Sequence, residues 1–225
     1  MKNGLLYCLL ALLLTLEITT LLEFDDFNKA SKNSTKIIEE KINDKNVVLF
    51  TGDSITDYYD LTKYYNYTDI NTYNTGISGY KTTDIIRRYD NMISQYHADK
   101  MFLLIGTNDI AKGTSNKDVI ENTKEILLRA RKNNPNIELY YISIYPVNNK
   151  VDGTKAGKRK NSNIKEVNKK MKSFCSENNI TYIDLYSKLV DKNEQLKEDY
   201  TYDGLHINGV GYELITKTLK PYIEK

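Results

Sequence analysis

The chain has 225 residues, 40% of them hydrophobic, which is enough for one α/β domain with a full core and does not require a second. Lys and Arg number 32 against 30 Asp and Glu, and the net charge of +2 gives no basis for nucleic-acid binding. Two cysteines, Cys8 and Cys175, make no disulfide framework, and two histidines, His97 and His206, exclude a His-rich metal site.

Residues 4–22 form an apolar segment that follows Lys2 and is broken by Glu17. Its uninterrupted part, Gly4 to Leu16, has the length of a secretory h-region, and the whole is just long enough to cross a bilayer as a hydrophobic helix. Read as a signal peptide or as a signal anchor, residues 1–22 export the remainder, either secreted or held at a membrane. No Ala-x-Ala-like cleavage site follows, which favours the anchor; Glu17 keeps open the alternative of a buried helix in a cytosolic domain. Residues 23–45 are polar, with Ile37, Ile38 and Ile42 marking a short amphipathic first helix, so they read as a spacer ahead of a domain at 46–225.

That domain opens on Val47-Val48-Leu49-Phe50, a run of strand formers that ends in Gly52 and delivers Asp53, Ser54 and Thr56. A hydroxyl presented there sits where ligands collect in open parallel sheets, although each of the three polar residues is also an ordinary helix cap. A tyrosine-rich stretch follows. Leu61, Tyr64 and Tyr65 are expected to pack inward, and Tyr58 and Tyr59 to offer flat faces to a substrate. Ile70 to Asn74 is a second strand, leading to the turn Gly76-Ile77-Ser78-Gly79 and a helix from Thr82 that ends near His97. His97 is expected on the surface, far from the strand ends that matter.

Met101 to Ile105 is apolar throughout, the pattern of a strand covered on both faces, and Gly106-Thr107-Asn108-Asp109 stands directly beyond it. The spacing of Val119, Ile120, Thr123, Ile126, Leu127 and Ala130 predicts a helix over about 116–132, stopped by Pro135. Ile137 to Tyr145 is a fourth strand. The segment 146–161, with Lys150, Lys155, Lys158, Arg159 and Lys160, reads as a solvated loop, with steering of an anionic polymer or headgroup as the alternative. A helix from Ser162, a fifth strand over Ile180 to Leu185, a polar connection and a terminal helix complete the chain. Strands alternating with helices predict a three-layer α/β/α domain with a five-stranded parallel sheet of flavodoxin-like type.

Four short blocks occur in order: Gly52-Asp53-Ser54, Asn74 to Gly79, Gly106 to Asp109, and Asp203-Gly204-Leu205-His206. Together they resemble the signature blocks of the SGNH, or GDSL-type, esterase and lipase family, over about residues 46–225. Where many relatives carry Pro after the histidine, this chain has Ile207. The resemblance implies a serine hydrolase with an oxyanion hole built from the backbone N–H of Ser54, the backbone N–H of Gly79 and the side-chain amide of Asn108. It implies no cofactor and no metal.

Serine is a poor nucleophile until a base takes its proton, and that base needs a third group to hold its tautomer. Asp203 and His206 are three residues apart, which in a single turn puts both on one side. Asp203 would accept from Nδ1 and leave Nε2 to face Ser54. Neither an α/β-hydrolase elbow, a complete Gly-x-Gly-x-x-Gly nor a P-loop is present. The expectation is therefore a serine esterase acting on short acyl esters, chiefly acetyl, of a carbohydrate or cell-envelope substrate. A lysophospholipase, a thioesterase, an acyltransferase and a non-catalytic anchored binding module remain the alternatives.

Overall fold

A computed structural model describes residues 46–224; the apolar segment, the spacer and the first helix read from the sequence lie outside them. Five strands form one sheet: β1 (Val47–Gly52), β2 (Asn71–Asn74), β3 (Lys100–Leu104), β4 (Glu138–Ile142) and β5 (Thr181–Ile183). Every pairing is parallel and the order is β2-β1-β3-β4-β5. In this order the chain reverses its direction of growth between β1 and β3, and ligands in doubly wound sheets bind at that switch, beyond the carboxyl ends of the strands.

Alternation along each strand splits the interior into two cores. Val47, Leu49, Met101, Leu103, Leu139 and Tyr141 face one layer, and there meet Val119, Ile126 and Leu127 of the helix Asn116–Asn133 and Ile164, Val167 and Met171 of the helix Asn161–Glu177. Val48, Phe50, Phe102, Leu104, Tyr140 and Ile142 face the other, against Tyr212, Ile215, Leu219 and Ile223 of the final helix Gly209–Ile223. Fully burying one such side chain contributes about 1.5–3 kcal/mol, so both faces must be covered for the sheet to persist. On the second face Phe50, Phe102 and Tyr140 are direct cross-strand partners, and their rings stack at centroid distances of 4.9 and 4.4 Å. The long helices begin as the sequence directs: Ser115 accepts from the Asp118 N–H, and Asn208 from the Gly211 N–H.

Several elements differ from their predicted extents, and side chains account for it. The fourth strand stops at Ile142 because the amide of Asn168 takes both the N–H and the C=O of Ile144. The fifth stops at Ile183 because Ser143 Oγ accepts the N–H groups of Leu185 and Tyr186. Nor is there one helix from Thr82 to His97: it breaks at Arg88, and His97 closes a short 3₁₀ turn, exposed and left-handed, on the way into β3. Segment 146–161 is not a plain solvated loop. Asp152 caps a turn of helix at Gly153–Ala156, and Asn161 clamps both backbone groups of Val147. Lys150, Lys155, Lys158 and Lys160 are exposed as expected, while Arg159 is buried.

Among the described residues no helix is long and apolar enough to cross a membrane.

Candidate active site

The four sequence blocks meet beyond the carboxyl ends of β1 and β3. Gly52 ends β1, and Asp53 caps the one-turn helix α1 (Ser54–Asp57), its Oδ1 accepting the Ile55 N–H at 3.0 Å. The strand is held by the sheet and the cap holds the turn, so Ser54 stands at the start of α1 with little freedom. From the far end of the chain, 152 residues away, the His206 ring arrives with Nε2 at 3.1 Å from Ser54 Oγ.

The turn carrying His206 is organised by two side chains. Thr201 Oγ1 accepts the Gly204 N–H at 2.9 Å and donates to the His206 carbonyl at 2.7 Å. Asp203 Oδ1 accepts the backbone N–H groups of Leu205 and His206 at 3.0 and 2.8 Å, which leaves Oδ2 for His206 Nδ1 at 2.7 Å. Burial opposes ionisation of Asp203, but the ring and backbone hydrogen bonds outweigh it and hold this carboxyl below the usual range. A carboxylate can only accept, so Nδ1 carries the hydrogen and the lone pair on Nε2 faces the serine.

Two chain ends are kept in this register by the final helix. Tyr212 donates its hydroxyl to the Ile55 carbonyl at 2.6 Å and stacks on Tyr59 at 5.0 Å. The Tyr59 hydroxyl in turn meets those of Thr216 and Tyr65 at 2.7 and 2.6 Å. Tyr59 is thus a core residue, 4% exposed, and is corrected from the expectation that it offers a face to substrate. Tyr58 is 53% exposed, with its ring 5.2 Å from that of His206. Leu61 and Tyr65 are buried and Tyr64 half-buried.

Gly79 and Asn108 come to the same edge. Asp57 Oδ2 accepts both the N–H and the hydroxyl of Ser78, and the Gly52 carbonyl accepts the Ile77 N–H, so the Gly76–Gly79 turn is tied to α1. The turn then passes through Gly79 at φ +82°, a region that favours glycine. The backbone N–H groups of Ser54 and Gly79 have no acceptor among the described residues. Asn108, in the short helix α2 (Thr107–Ala111), donates one amide hydrogen to the Tyr80 carbonyl at 3.0 Å and has its second unspent. Next to it Asp109 is buried, accepting the N–H and hydroxyl of Thr82, and burial raises its pKa.

Asp53 is the other buried carboxyl. Burial raises its pKa from 3.8 to about 7 against the pull of the Ile55 N–H and the Arg159 charge, and its Oδ2 has no hydrogen-bond partner. Neither Arg159, Thr201 nor Asp57 was evident from sequence. A Thr two residues before Asp203 is a recognisable turn former, whereas nothing in the spacing separates Arg159 from the lysines around it. Among the described residues no three His, Cys, Asp or Glu side chains converge as a metal would require.

A hydroxyl, an imidazole and a carboxylate linked in series beside unspent N–H donors is the arrangement that acyl transfer by a serine needs. The model of the GDSL-like lipase/acylhydrolase family matches residues 50–214, and the chain belongs to that family. It is 28% identical over 212 residues to an N-acylneuraminate cytidylyltransferase of Escherichia coli O18:K1:H7, a match covering 86% of this chain and 47% of that protein. The chain thus spans less than half the length of the curated relatives it matches. A solved structure from Streptococcus pneumonia, named for platelet activating factor, is 32% identical with a TM-score of 0.75, over 91% of this chain and 97% of its own. The acetyl xylan esterase AlAXEase, at 21% identity and TM-score 0.64, shares the fold over 78% of this chain and 98% of its own.

Proposed function

We propose that the protein is a serine esterase that removes short acyl groups, acetyl above all, from a carbohydrate or cell-envelope substrate. The observation that carries the reading is the 3.1 Å approach of His206 Nε2 to Ser54 Oγ, with Asp203 behind the ring at 2.7 Å. Ser54 Oγ attacks the ester carbon while Nε2 takes its proton; the imidazolium, held by Asp203, then protonates the leaving alcohol. Negative charge on the carbonyl oxygen is met by the N–H groups of Ser54 and Gly79 and the free amide hydrogen of Asn108. A water deprotonated by His206 releases the acid and restores the serine.

The acetyl and carbohydrate parts of this reading draw support from likeness: one structural neighbour is an acetyl xylan esterase, and the curated relatives are named for an acylated sugar acid. Exposed Tyr58 beside His206 is suited to stacking on a sugar ring. An extracytoplasmic setting rests on the apolar run at residues 4–22. Ser54→Ala, assayed on p-nitrophenyl acetate and a panel of acetylated glycans, is the deciding experiment. Abolished turnover with an unchanged fold supports the esterase; full turnover removes it. A steep rise from acetyl to octanoyl esters would move the substrate to lipids or thioesters instead.

A further inference from the structure

Arg159 is a long cationic side chain only 7% exposed, beneath a segment whose other basic residues point to solvent. Its hydrogen bonds go to three backbone carbonyls and two side-chain oxygens around the site. Nε donates to the carbonyl and hydroxyl of Thr107 at 3.1 and 2.9 Å, and Nη1 to the carbonyls of Lys155 and Ala156 at 3.0 and 3.1 Å. The remaining arm, Nη2, donates to Asn108 Oδ1 at 2.8 Å.

That last contact decides which way the Asn108 amide faces. A side-chain amide is nearly symmetric in shape, and turning it over exchanges a donor for an acceptor. With a guanidinium on one side and the Tyr80 carbonyl on the other, only one orientation satisfies both: oxygen to Arg159, nitrogen to Tyr80. Turned over, the amide would set N–H against N–H and oxygen against oxygen. We propose that Arg159 is a positioning residue, which locks the Asn108 amide so that its second N–H is presented to the oxyanion of the acyl-transfer step. This rests on the esterase reading and adds to it a residue from a different segment of the chain. A lysine in its place would keep the charge without the planar fork that reaches Thr107 and Asn108 together.

The test is a double-mutant cycle on kcat and KM for p-nitrophenyl acetate with Arg159→Met, Asn108→Ala and both together. Loss of one oxyanion donor lowers kcat about 100- to 1000-fold. Arg159→Met is expected to lower kcat by about tenfold or more with KM changed less than about threefold. In the Asn108→Ala background it is expected to cost less than about threefold further. A full multiplicative loss in that background, or no loss in the wild type, overturns the proposal. Should Arg159→Met not fold, as judged by circular dichroism, Arg159→Lys enters the same cycle with the same two outcomes. Ser54→Ala measured alongside separates the readings: if it stays active, the esterase has failed; if it is dead and the cycle is multiplicative, only the role of Arg159 has.

Discussion

Asn148 and Gly204 are locked backbone to backbone. The Asn148 N–H donates to the Gly204 carbonyl at 2.8 Å, and the Asn148 carbonyl oxygen lies 2.1 Å from where a Cβ on residue 204 would stand. Asn148 is itself fixed by donating to the Leu196 carbonyl and accepting from the Lys150 N–H. The segment after β4 is therefore the wall on which the Asp203–His206 turn is pressed, and Gly204, at φ +78°, is the residue that lets it come so close.

Gly204→Ala should consequently damage both stability and the site. The left-handed backbone costs an alanine about 1 kcal/mol and the clash adds more, so a loss of about 2–4 kcal/mol in urea denaturation is expected. Because the turn must shift to relieve the clash, His206 leaves hydrogen-bond reach of Ser54, and kcat should drop by at least about 100-fold.

The paired tyrosines separate binding from folding. Tyr58→Ala, at an exposed ring beside His206, should raise KM for a glycoside ester several-fold and leave the melting temperature unchanged. Tyr59→Phe should do the reverse: it strips the hydroxyl shared by Tyr65 and Thr216 and should cost about 1–2 kcal/mol in thermal or urea unfolding, with kcat near wild type.

These two residues also mark where reading the chain in one dimension stops. All five strands are legible in the sequence, and both long central helices and the terminal helix follow from apolar spacing, because each helix buries a face whose period the side chains must match. Ser54, Asp203, His206, Gly79 and Asn108 were all within reach because each lies in a short block at the end of an element, and the structure brings all five to one edge. Which of Tyr58 and Tyr59 points outward depends on α1 ending after one turn and on Tyr212 arriving from 153 residues downstream. Arg159 shows the same limit. A basic run has no period, and only the pocket formed by Thr107, Asn108 and Ala156 selects one cation from it.

Asp53 should impose a pH dependence on folding stability. Its pKa is raised from 3.8 to about 7 by burial, so the folded chain holds this proton more tightly than the unfolded chain. The group's stabilising contribution is complete below the unfolded value, is lost as pH rises through the window up to about 7, and is constant above it. Asp53→Asn has no such titration. Relative to the variant, the wild type should lose stability by about 1.4 kcal/mol per pH unit inside that window and nothing outside it. Urea denaturation of both proteins at about pH 4, 6 and 8 measures the difference, and parallel curves would mean that Asp53 is not buried as described.

Asp203 acts with the opposite sign. Its carboxyl is held below the usual range, so its support of His206 is present above the unfolded value and disappears as acid protonates it in the folded state. Asp203→Asn keeps the shape but offers no charge to the imidazolium and can present an N–H to Nδ1, which favours the wrong tautomer. A loss of about 10³- to 10⁴-fold in kcat is expected, with KM little changed, from steady-state kinetics on p-nitrophenyl acetate.

Gly79→Ala isolates conformation from space. A Cβ at residue 79 would meet nothing within 4 Å, in contrast to residue 204, yet φ is +82°. The substitution therefore costs only the strain of a left-handed alanine, about 1 kcal/mol, if the turn keeps its shape. Asp57 and the Gly52 carbonyl hold Ser78 and Ile77 on one side, so relief can come only by rotating the peptide that carries the residue 79 N–H. Gly79→Ala should thus lower kcat by about tenfold while the protein stays folded, and adding Asp57→Ala, which frees the turn, should deepen the loss. Full kcat in Gly79→Ala with the same stability penalty would mean that the turn keeps its shape under strain and that the residue 79 N–H has not moved.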